Sequence, residues 1–376
     1  MPLDYRALAV SSVCDLLPYE PGKPPDELER EYGVRNAIKL ASNENPSGPS
    51  DSVKKAIETA AKNINRYPDG SGFYLRKALA NKYGVSPDQI TLGNGSNDIL
   101  VMLAECFLAA GTSAIYDEYS FIIYRTAVKA TGAEARQSAS INDKNAQYLG
   151  HDLHAMSELI DSSTRLVFIA NPNNPTGTWV SNAQLHDFLL SVPDHVLVVL
   201  DEAYYEYALG EDYENTIPWL EDFENLIILR TFSKAYGLAG LRVGYSISSK
   251  SLAELLNRVR QPFNVNHIAQ AAALAALGDE DWVSESQDLN LRSMALLKKG
   301  LDKLKIPYIP SKANFLLVEL GKLSDDCYEY LLKHGLIVRP VKNYGLQYHL
   351  RISIGAPAEM IVLLTNLADF QAAHND

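Results

Sequence analysis

The apolar positions of the chain change their rhythm along its length. Between residues 90 and 247, short and mostly apolar runs recur at 90–92, 114–116, 166–170, 196–200, 226–229 and 243–247. Runs of this length predict strands buried on both faces. Stretches with a helical period lie between several of them. Ile99, Leu100, Leu103 and Phe107 fall on one stripe of a helix that follows strand 90–92, and 182–190 has a similar pattern. Strands alternating with helices predict an α/β fold, a large domain with a mostly parallel sheet flanked by helices.

The flanks read differently. Val53, Ala56, Ile57 and Ala60 predict a helix over 51–61, and 75–83 predicts another. Residues 26–32 predict a short helix stopped by Gly33. Leu16-Leu17-Pro18-Tyr19-Glu20-Pro21-Gly22-Lys23-Pro24-Pro25 holds four prolines and predicts an extended arm. Downstream, helices at 252–260, 269–277 and 282–304 precede strands at 314–319, 336–339 and 350–354, with a helix over 324–334. This predicts a smaller α+β domain of residues 276–376, joined by the arm 1–42, beside a large domain of 43–275.

Composition narrows the class of protein. The 376 residues are 47% hydrophobic and 21% charged, as in ordinary globular domains. Asp and Glu number 46 against 34 Lys and Arg, a net charge of −12, which argues against sequence-independent nucleic-acid binding. Cys14, Cys106 and Cys327 are far apart and form neither a metal motif nor an even disulfide framework. His151 and His154 lack further ligands nearby and read as surface residues, so no metal is expected. The apolar runs are too short to span a membrane, and the first residues, with Asp4, Arg6 and Asp15, lack a signal-peptide core. A cytoplasmic protein without nucleic-acid or membrane partners is expected.

Ligands of a parallel sheet bind beyond the carboxyl ends of its strands, and polar motifs recur there. After 226–229 comes Arg-Thr-Phe-Ser-Lys-Ala-Tyr-Gly-Leu-Ala-Gly-Leu-Arg, residues 230–242. Lys234 could form a Schiff base with a carbonyl, while Thr231, Ser233 and Arg242 hold a phosphate; equally, this is a Gly-rich loop with an exposed lysine. After 90–92, Gly95, Ser96 and Asn97 open a helix whose free N–H groups suit an anion, or are simply a capped helix. After 166–170, Asn171-Pro172-Asn173-Asn174-Pro175-Thr176-Gly177 is a stiff loop that could aim an asparagine. After 196–200, Asp201 ends a buried strand, as a cap, a salt-bridge partner, or a carboxylate facing a cationic ring nitrogen with Tyr204 beside it. Arg351 alternates with Leu350, Ile352 and Ile354, and reads as an anion clamp or a solvated face.

Six stretches, in order, resemble motifs of the fold-type I pyridoxal-phosphate aminotransferases, and within that family the branch acting on histidinol phosphate. They are Pro18-Tyr19-Glu20-Pro21-Gly22-Lys23-Pro24, Leu40-Ala41-Ser42-Asn43-Glu44-Asn45-Pro46, Tyr67-Pro68-Asp69, 171–177, 230–242 and Leu350-Arg351-Ile352-Ser353-Ile354-Gly355. The resemblance covers nearly the whole chain. It implies pyridoxal 5'-phosphate bound covalently to Lys234, which then shuttles the substrate proton. Asp201 would keep the pyridine nitrogen protonated, and Tyr204 with Asn174 would hydrogen-bond the ring's phenolic oxygen. Gly95, Ser96, Asn97, Thr231, Ser233 and Arg242 would hold the phosphate, and Phe121, three residues before Tyr124, would stack on the ring. Tyr67 would reach the cofactor phosphate of the other subunit, implying a homodimer. Tyr19, Asn43, Arg339 and Arg351 would form the substrate pocket.

The implied reaction is ping-pong transfer between L-histidinol phosphate and 2-oxoglutarate, in histidine biosynthesis. Gly355-Ala356-Pro357-Ala358-Glu359 departs from the family's usual threonine before proline and second acid. The stacking Phe121 lacks the phenol of some members. Both departures leave room for an aromatic amino donor. A decarboxylase of the threonine-phosphate type on the same scaffold is a further alternative. A non-catalytic regulator is disfavoured by the intact Lys234, Asp201, Tyr204 and Asn174.

Overall fold

A computed structural model describes residues 3–210 and 212–374; the outermost residues of the predicted arm and small domain, 1–2 and 375–376, lie outside it. Thirteen strands are present among the described residues: β1 (Ile38–Lys39), β2 (Ile90–Gly93), β3 (Ser113–Asp117), β4 (Glu134–Ser138), β5 (Thr164–Ala170), β6 (Leu197–Asp201), β7 (Leu226–Thr231), β8 (Gly244–Ile247), β9 (Tyr308–Ile309), β10 (Phe315–Glu319), β11 (Leu336–Ile337), β12 (Arg339–Pro340) and β13 (His349–Ser353). Seven form one sheet in the order β2-β8-β7-β6-β5-β3-β4. Only β8 is antiparallel to its neighbours. A parallel return needs a crossover, usually helical, whereas β7 and β8 are joined by a short loop with one 3-10 turn, Ala239–Leu241. Lys234 lies in that loop, so the reversal places it at the carboxyl end of β7.

The central strands are apolar on both faces, as their uninterrupted pattern predicts. Val198, Leu200, Leu226 and Ile228 belong to the core on one face. Val199, Ile227 and Leu229 belong to the core on the other. Helices cover both faces. A second, antiparallel sheet, β12-β13-β10-β9, packs against Glu280–Leu304, Ser324–Lys333 and Pro357–His374. Strand β1 pairs with β11, and Ser353 N donates to Leu40 O at 2.9 Å, which ties residues 38–43 to the second sheet.

Two features differ from the pattern-based expectation. Strand β4 is absent from it because Glu134, Arg136 and Gln137 make its sequence polar; it is a sheet edge, where polar residues discourage further pairing. The predicted strand 336–339 is two strands that serve different partners, β11 on β1 and β12 on β13. The proline-rich stretch 16–24 is free of helix and strand, and two single helical turns, Tyr5–Leu8 and Ser11–Cys14, precede it. The unusual Gly355–Glu359 stretch has a local role: Glu359 Oε2 accepts from Ala356 N at 2.7 Å at the start of the last helix.

Beneath the carboxyl ends of β6 and β7 lies a fully buried ion pair, Arg230 Nη2 to Glu202 Oε2 at 2.7 Å. Glu202→Ala leaves Arg230 buried without its counter-charge and is expected to cost about 3–5 kcal/mol in urea unfolding. Glu280→Ala breaks an exposed pair with Lys82 and is expected to leave the urea midpoint nearly unchanged.

Candidate active site

A cleft of about 910 Å3, including its open mouth, lies over the carboxyl ends of β5, β6 and β7. Every predicted site residue lines it except Gly95 and Tyr67. Four cationic side chains, Lys234, Arg242, Arg339 and Arg351, face it, against one carboxylate, Asp201. An excess of positive charge of this size around one cleft marks a site for anionic ligands.

Lys234 is half-buried. Its Nζ donates to Ser42 O at 3.2 Å and lies 5.6 Å from the centre of the Tyr204 ring. Burial, then the charge of Arg351, lowers its pKa from the ordinary 10.5 to about 7; Glu44 opposes this and Arg242 adds to it. Near neutrality a large fraction of the amine is therefore unprotonated and nucleophilic. The influence of both arginines places Lys234 between two anion sites.

Asp201 ends β6 on the face of Val199, so it points into the cleft. Its Oδ2 accepts from Tyr124 OH at 2.9 Å and its Oδ1 from Ala203 N at 3.2 Å. Burial raises its pKa to about 6, against the pull of those two hydrogen bonds. A carboxylate this poorly solvated binds a protonated ring nitrogen well. Tyr124 served in the sequence only as the spacing marker for Phe121. The structure shows it is fully buried, stacked on Phe168 at 4.8 Å, and the donor that orients Asp201. Its place three residues after Phe121, one helical turn on, was the available signal. The Phe121 ring meets Tyr124 edge-on at 6.0 Å.

Tyr204 follows directly. Asn43 Nδ2 donates to its hydroxyl oxygen at 2.9 Å, and Asn43 Oδ1 accepts from Ser353 Oγ at 2.7 Å. Asn43, expected in the substrate pocket, thus holds Tyr204 in place from a left-handed backbone at φ 55°. Burial pushes the Tyr204 phenol up to about 12, against Arg351 and the Asn43 bond, so it stays a hydrogen-bond donor.

The phosphate-sized end is built by close backbone approach. Helix Ser96–Phe107 starts after Gly95 at φ 79°; a Cβ at Gly95 would meet Arg242 Nη2 at 2.6 Å. A Cβ at Gly244, opposite Thr231 in the ladder, would meet Ser96 N at 2.4 Å. Both glycines bring the β7–β8 loop onto the helix N-terminus, whose first N–H groups point outward. Arg242 Nη1 donates to Ser233 Oγ at 3.3 Å and Ala239 O at 3.2 Å, and Ser233 N to Thr231 Oγ1 at 3.1 Å. Buried Asn97 Oδ1 has no partner among the described residues. This cradle, with Asp201 and the Lys234 amine, fits a flat pyridine aldehyde bearing a phosphate.

At the other end Arg351 is buried. Its Nη1 donates to Asn174 Oδ1 and its Nη2 to Ala41 O at 2.7 Å, and Nε has no partner among the described residues. Arg339 Nη2 donates to Glu20 O at 2.6 Å, and its guanidinium lies 5.8 Å from the Tyr19 ring. Tyr344, which the sequence reading passed over, also lines this end. The only signal was an aromatic beside a glycine in the loop between the two arginine strands. Tyr67 is 82% exposed, stacked on Phe263 at 4.7 Å, and does not line the cleft of its own chain.

One surface assignment is corrected. His154 is exposed, but His151 is only 3% exposed. Its Nε2 lies 2.9 Å from Ala170 O and its Nδ1 3.4 Å from Asp117 Oδ2. It joins the ends of β3 and β5, a role that its sequence neighbours do not reveal.

The chain belongs to the aminotransferase class I and II family, whose sequence profile matches residues 35–367. Among curated relatives, histidinol-phosphate aminotransferase 2 of Pseudomonas fluorescens is 52% identical, covering 97% of this chain and 98% of that protein. Histidinol-phosphate aminotransferase 1 of Nitrosococcus oceani is 49% identical, covering 98% and 99%. The crystal structure of histidinol-phosphate aminotransferase from Sinorhizobium meliloti in complex with pyridoxal-5'-phosphate aligns with a TM-score of 0.84 at 30% identity, covering 94% of this chain and 95% of that one. The architecture is therefore that of the fold-type I aminotransferases.

The depressed Lys234 pKa carries a pH signature. Folding disfavours the charged amine, so the penalty is full below about pH 7 and fades as pH rises toward 10.5. In cofactor-free protein, Lys234→Met is expected to raise the melting temperature at pH 7, with the gain shrinking by pH 10. A gain independent of pH would show that the amine is not depressed.

Proposed function

We propose that this chain is a pyridoxal-phosphate transaminase exchanging the amino group of L-histidinol phosphate for the oxo group of 2-oxoglutarate, giving imidazole acetol phosphate and L-glutamate in histidine biosynthesis. The observation that carries this reading is Arg351: a buried guanidinium with an unpaired Nε and no carboxylate partner among the described residues, beside a lysine amine that also feels Arg242. Such a cleft takes a substrate with its own anion in addition to the cofactor phosphate. The names of the two curated relatives support the substrate.

When bound, pyridoxal phosphate supplies a carbonyl carbon for amine exchange and an electron-poor ring that stabilises charge on the substrate carbon. The residues serve it as follows. Arg242, Thr231, Ser233 and the N–H groups of Ser96 and Asn97 would bind its phosphate, with Gly95 leaving room for Arg242. Phe121 would cover a ring face. Asp201, oriented by Tyr124, would accept from the protonated ring nitrogen. Tyr204 OH would donate to the ring oxygen, and Asn174 would do so through Nδ2, since its Oδ1 is taken by Arg351. Lys234 Nζ would hold the cofactor covalently, and a pKa of about 7 would suit the same amine to moving a proton at the substrate carbon.

Arg351, aided by Arg339, Tyr19 and Asn43, binds the phosphate of histidinol phosphate in one half-reaction and the carboxylate of 2-oxoglutarate or glutamate in the other. One anion site used in turn suits ping-pong kinetics. The exposed Tyr67 supports a homodimer in which it reaches the partner's cofactor phosphate. The acidic chain and its biosynthetic reaction support a cytoplasmic location.

Single-turnover spectroscopy tests the reading. Histidinol phosphate is expected to convert the cofactor to its amine form, and 2-oxoglutarate to restore it. Rapid conversion by phenylalanine but not by histidinol phosphate overturns the substrate. Carbon dioxide release from O-phosphothreonine without an oxo product overturns the reaction type. Lys234→Ala is expected to lose the visible absorbance of the bound cofactor. Asp201→Asn is expected to keep the cofactor and lower kcat by roughly 100- to 1,000-fold.

A further inference from the structure

Tyr344 occupies a singular place in the cleft. It closes the turn Lys342–Tyr344 between β12 and β13, in which Arg339 pairs across from Arg351. Gly345 follows at φ 83°, which lets the chain reverse at once and brings the ring back over the second sheet. The ring is only 8% exposed and packs among Leu317, Val341, Leu346 and Ile122. Its edge nevertheless lines the cleft together with Tyr19, Arg339 and Arg351. Its hydroxyl hydrogen has no acceptor among the described residues. Burial raises its pKa, against the nearby charges of Arg351 and Arg339, so the phenol keeps its proton at neutral pH. A tyrosine nine-tenths buried thus presents one free donor beside two arginines.

The two substrates of the proposed reaction present different anions to this one place. A carboxylate offers two coplanar oxygens, which one guanidinium satisfies with two parallel hydrogen bonds. A phosphate monoester carries about −1.5 to −2 charges and three terminal oxygens, so the same guanidinium leaves one oxygen over. We propose that Tyr344 is the phosphate-selecting residue of the substrate pocket: its hydroxyl donates to the oxygen that Arg351 leaves unpaired on a phosphate monoester, and finds no such atom on the dicarboxylate substrate. This rests on the transaminase reading above and adds to it a residue that tells the two half-reactions apart. The Tyr344 ring is packing, and only its hydroxyl is discrimination.

Tyr344→Phe removes the hydroxyl and keeps the ring. The holoenzyme variant is compared with wild type for KM toward histidinol phosphate, unphosphorylated histidinol and 2-oxoglutarate, and for inhibition by inorganic phosphate. The expected result is a rise of roughly ten-fold or more in KM for histidinol phosphate and in the inhibition constant of phosphate. The KM values for histidinol and 2-oxoglutarate are expected to move less than about two-fold, with an unchanged melting temperature. Equal changes for all ligands, or no change for phosphate, overturn the proposal while wild-type turnover of histidinol phosphate leaves the reaction assignment standing. Failure of the wild type to use histidinol phosphate overturns both.

Discussion

Glu202 and Arg230 lock the carboxyl ends of the two central strands on the face turned away from the cleft. Side chains alternate along β6 and β7, so Asp201 and Thr231 face the ligand and their neighbours 202 and 230 face the core. Glu202 Oε2 accepts from Arg230 Nε at 2.8 Å, while Oε1 accepts from Tyr213 OH at 2.5 Å and Thr216 Oγ1 at 2.7 Å. Arg230 lies 3.4 Å over the Tyr205 ring and also donates to Asn215 Oδ1 at 3.1 Å. A buried charge pair is costly unless its remaining polar atoms are satisfied, and here the carboxylate is fully engaged while Arg230 Nη1 alone of the guanidinium nitrogens has no hydrogen-bond partner among the described residues. Because the pair bridges residues 28 apart in sequence, it holds the strand ends in register. Asp201 and the Lys234 loop then leave the sheet at a set separation.

That rigid floor lets the cleft keep its groups in unfavourable protonation states. Asp201 is driven up toward 6 and Lys234 down toward 7, each by burial first. Neither can relax by turning to solvent, because Tyr124 holds the carboxylate and the β7–β8 loop is pressed onto the Gly95 helix start. Both are groups whose perturbed ionisation suits a proton-transfer reaction near neutrality. The same floor separates duties. Asp201, Thr231 and Lys234 come from β6, β7 and the loop between β7 and β8, whereas Arg339 and Arg351 come from β12 and β13 of the other sheet.

How much of this the sequence revealed follows from how local each signal is. The buried strands, the loops at their ends and Lys234 were legible because apolar runs and glycines act within a few residues of themselves. Asn43 was read as a pocket residue; that it braces Tyr204 and Ser353 depends on contacts 161 and 310 residues away. His151 was misread for the same reason, since a histidine in a polar stretch looks exposed until β3 and β5 are brought together around it. Strand β4 escaped because an edge strand needs polarity, which erases the pattern that identifies central strands. Tyr344 escaped because packing uses nearly the whole ring and only the hydroxyl faces the cleft.

The distribution of charge explains why substrate choice is placed far from the reacting atoms. An anion bound near Lys234 would stabilise its ammonium form and undo the depression on which its reactivity depends. Arg351 offsets this, because its own charge is among the causes lowering the lysine pKa. A substrate anion that neutralised Arg351 would weaken that influence and make the amine more basic. Binding and proton transfer would then be coupled through one guanidinium. Replacing Arg351 by a neutral residue would therefore change the pH dependence of the reaction as well as its affinity, and an arginine is needed there for its charge as much as for its two-pronged geometry.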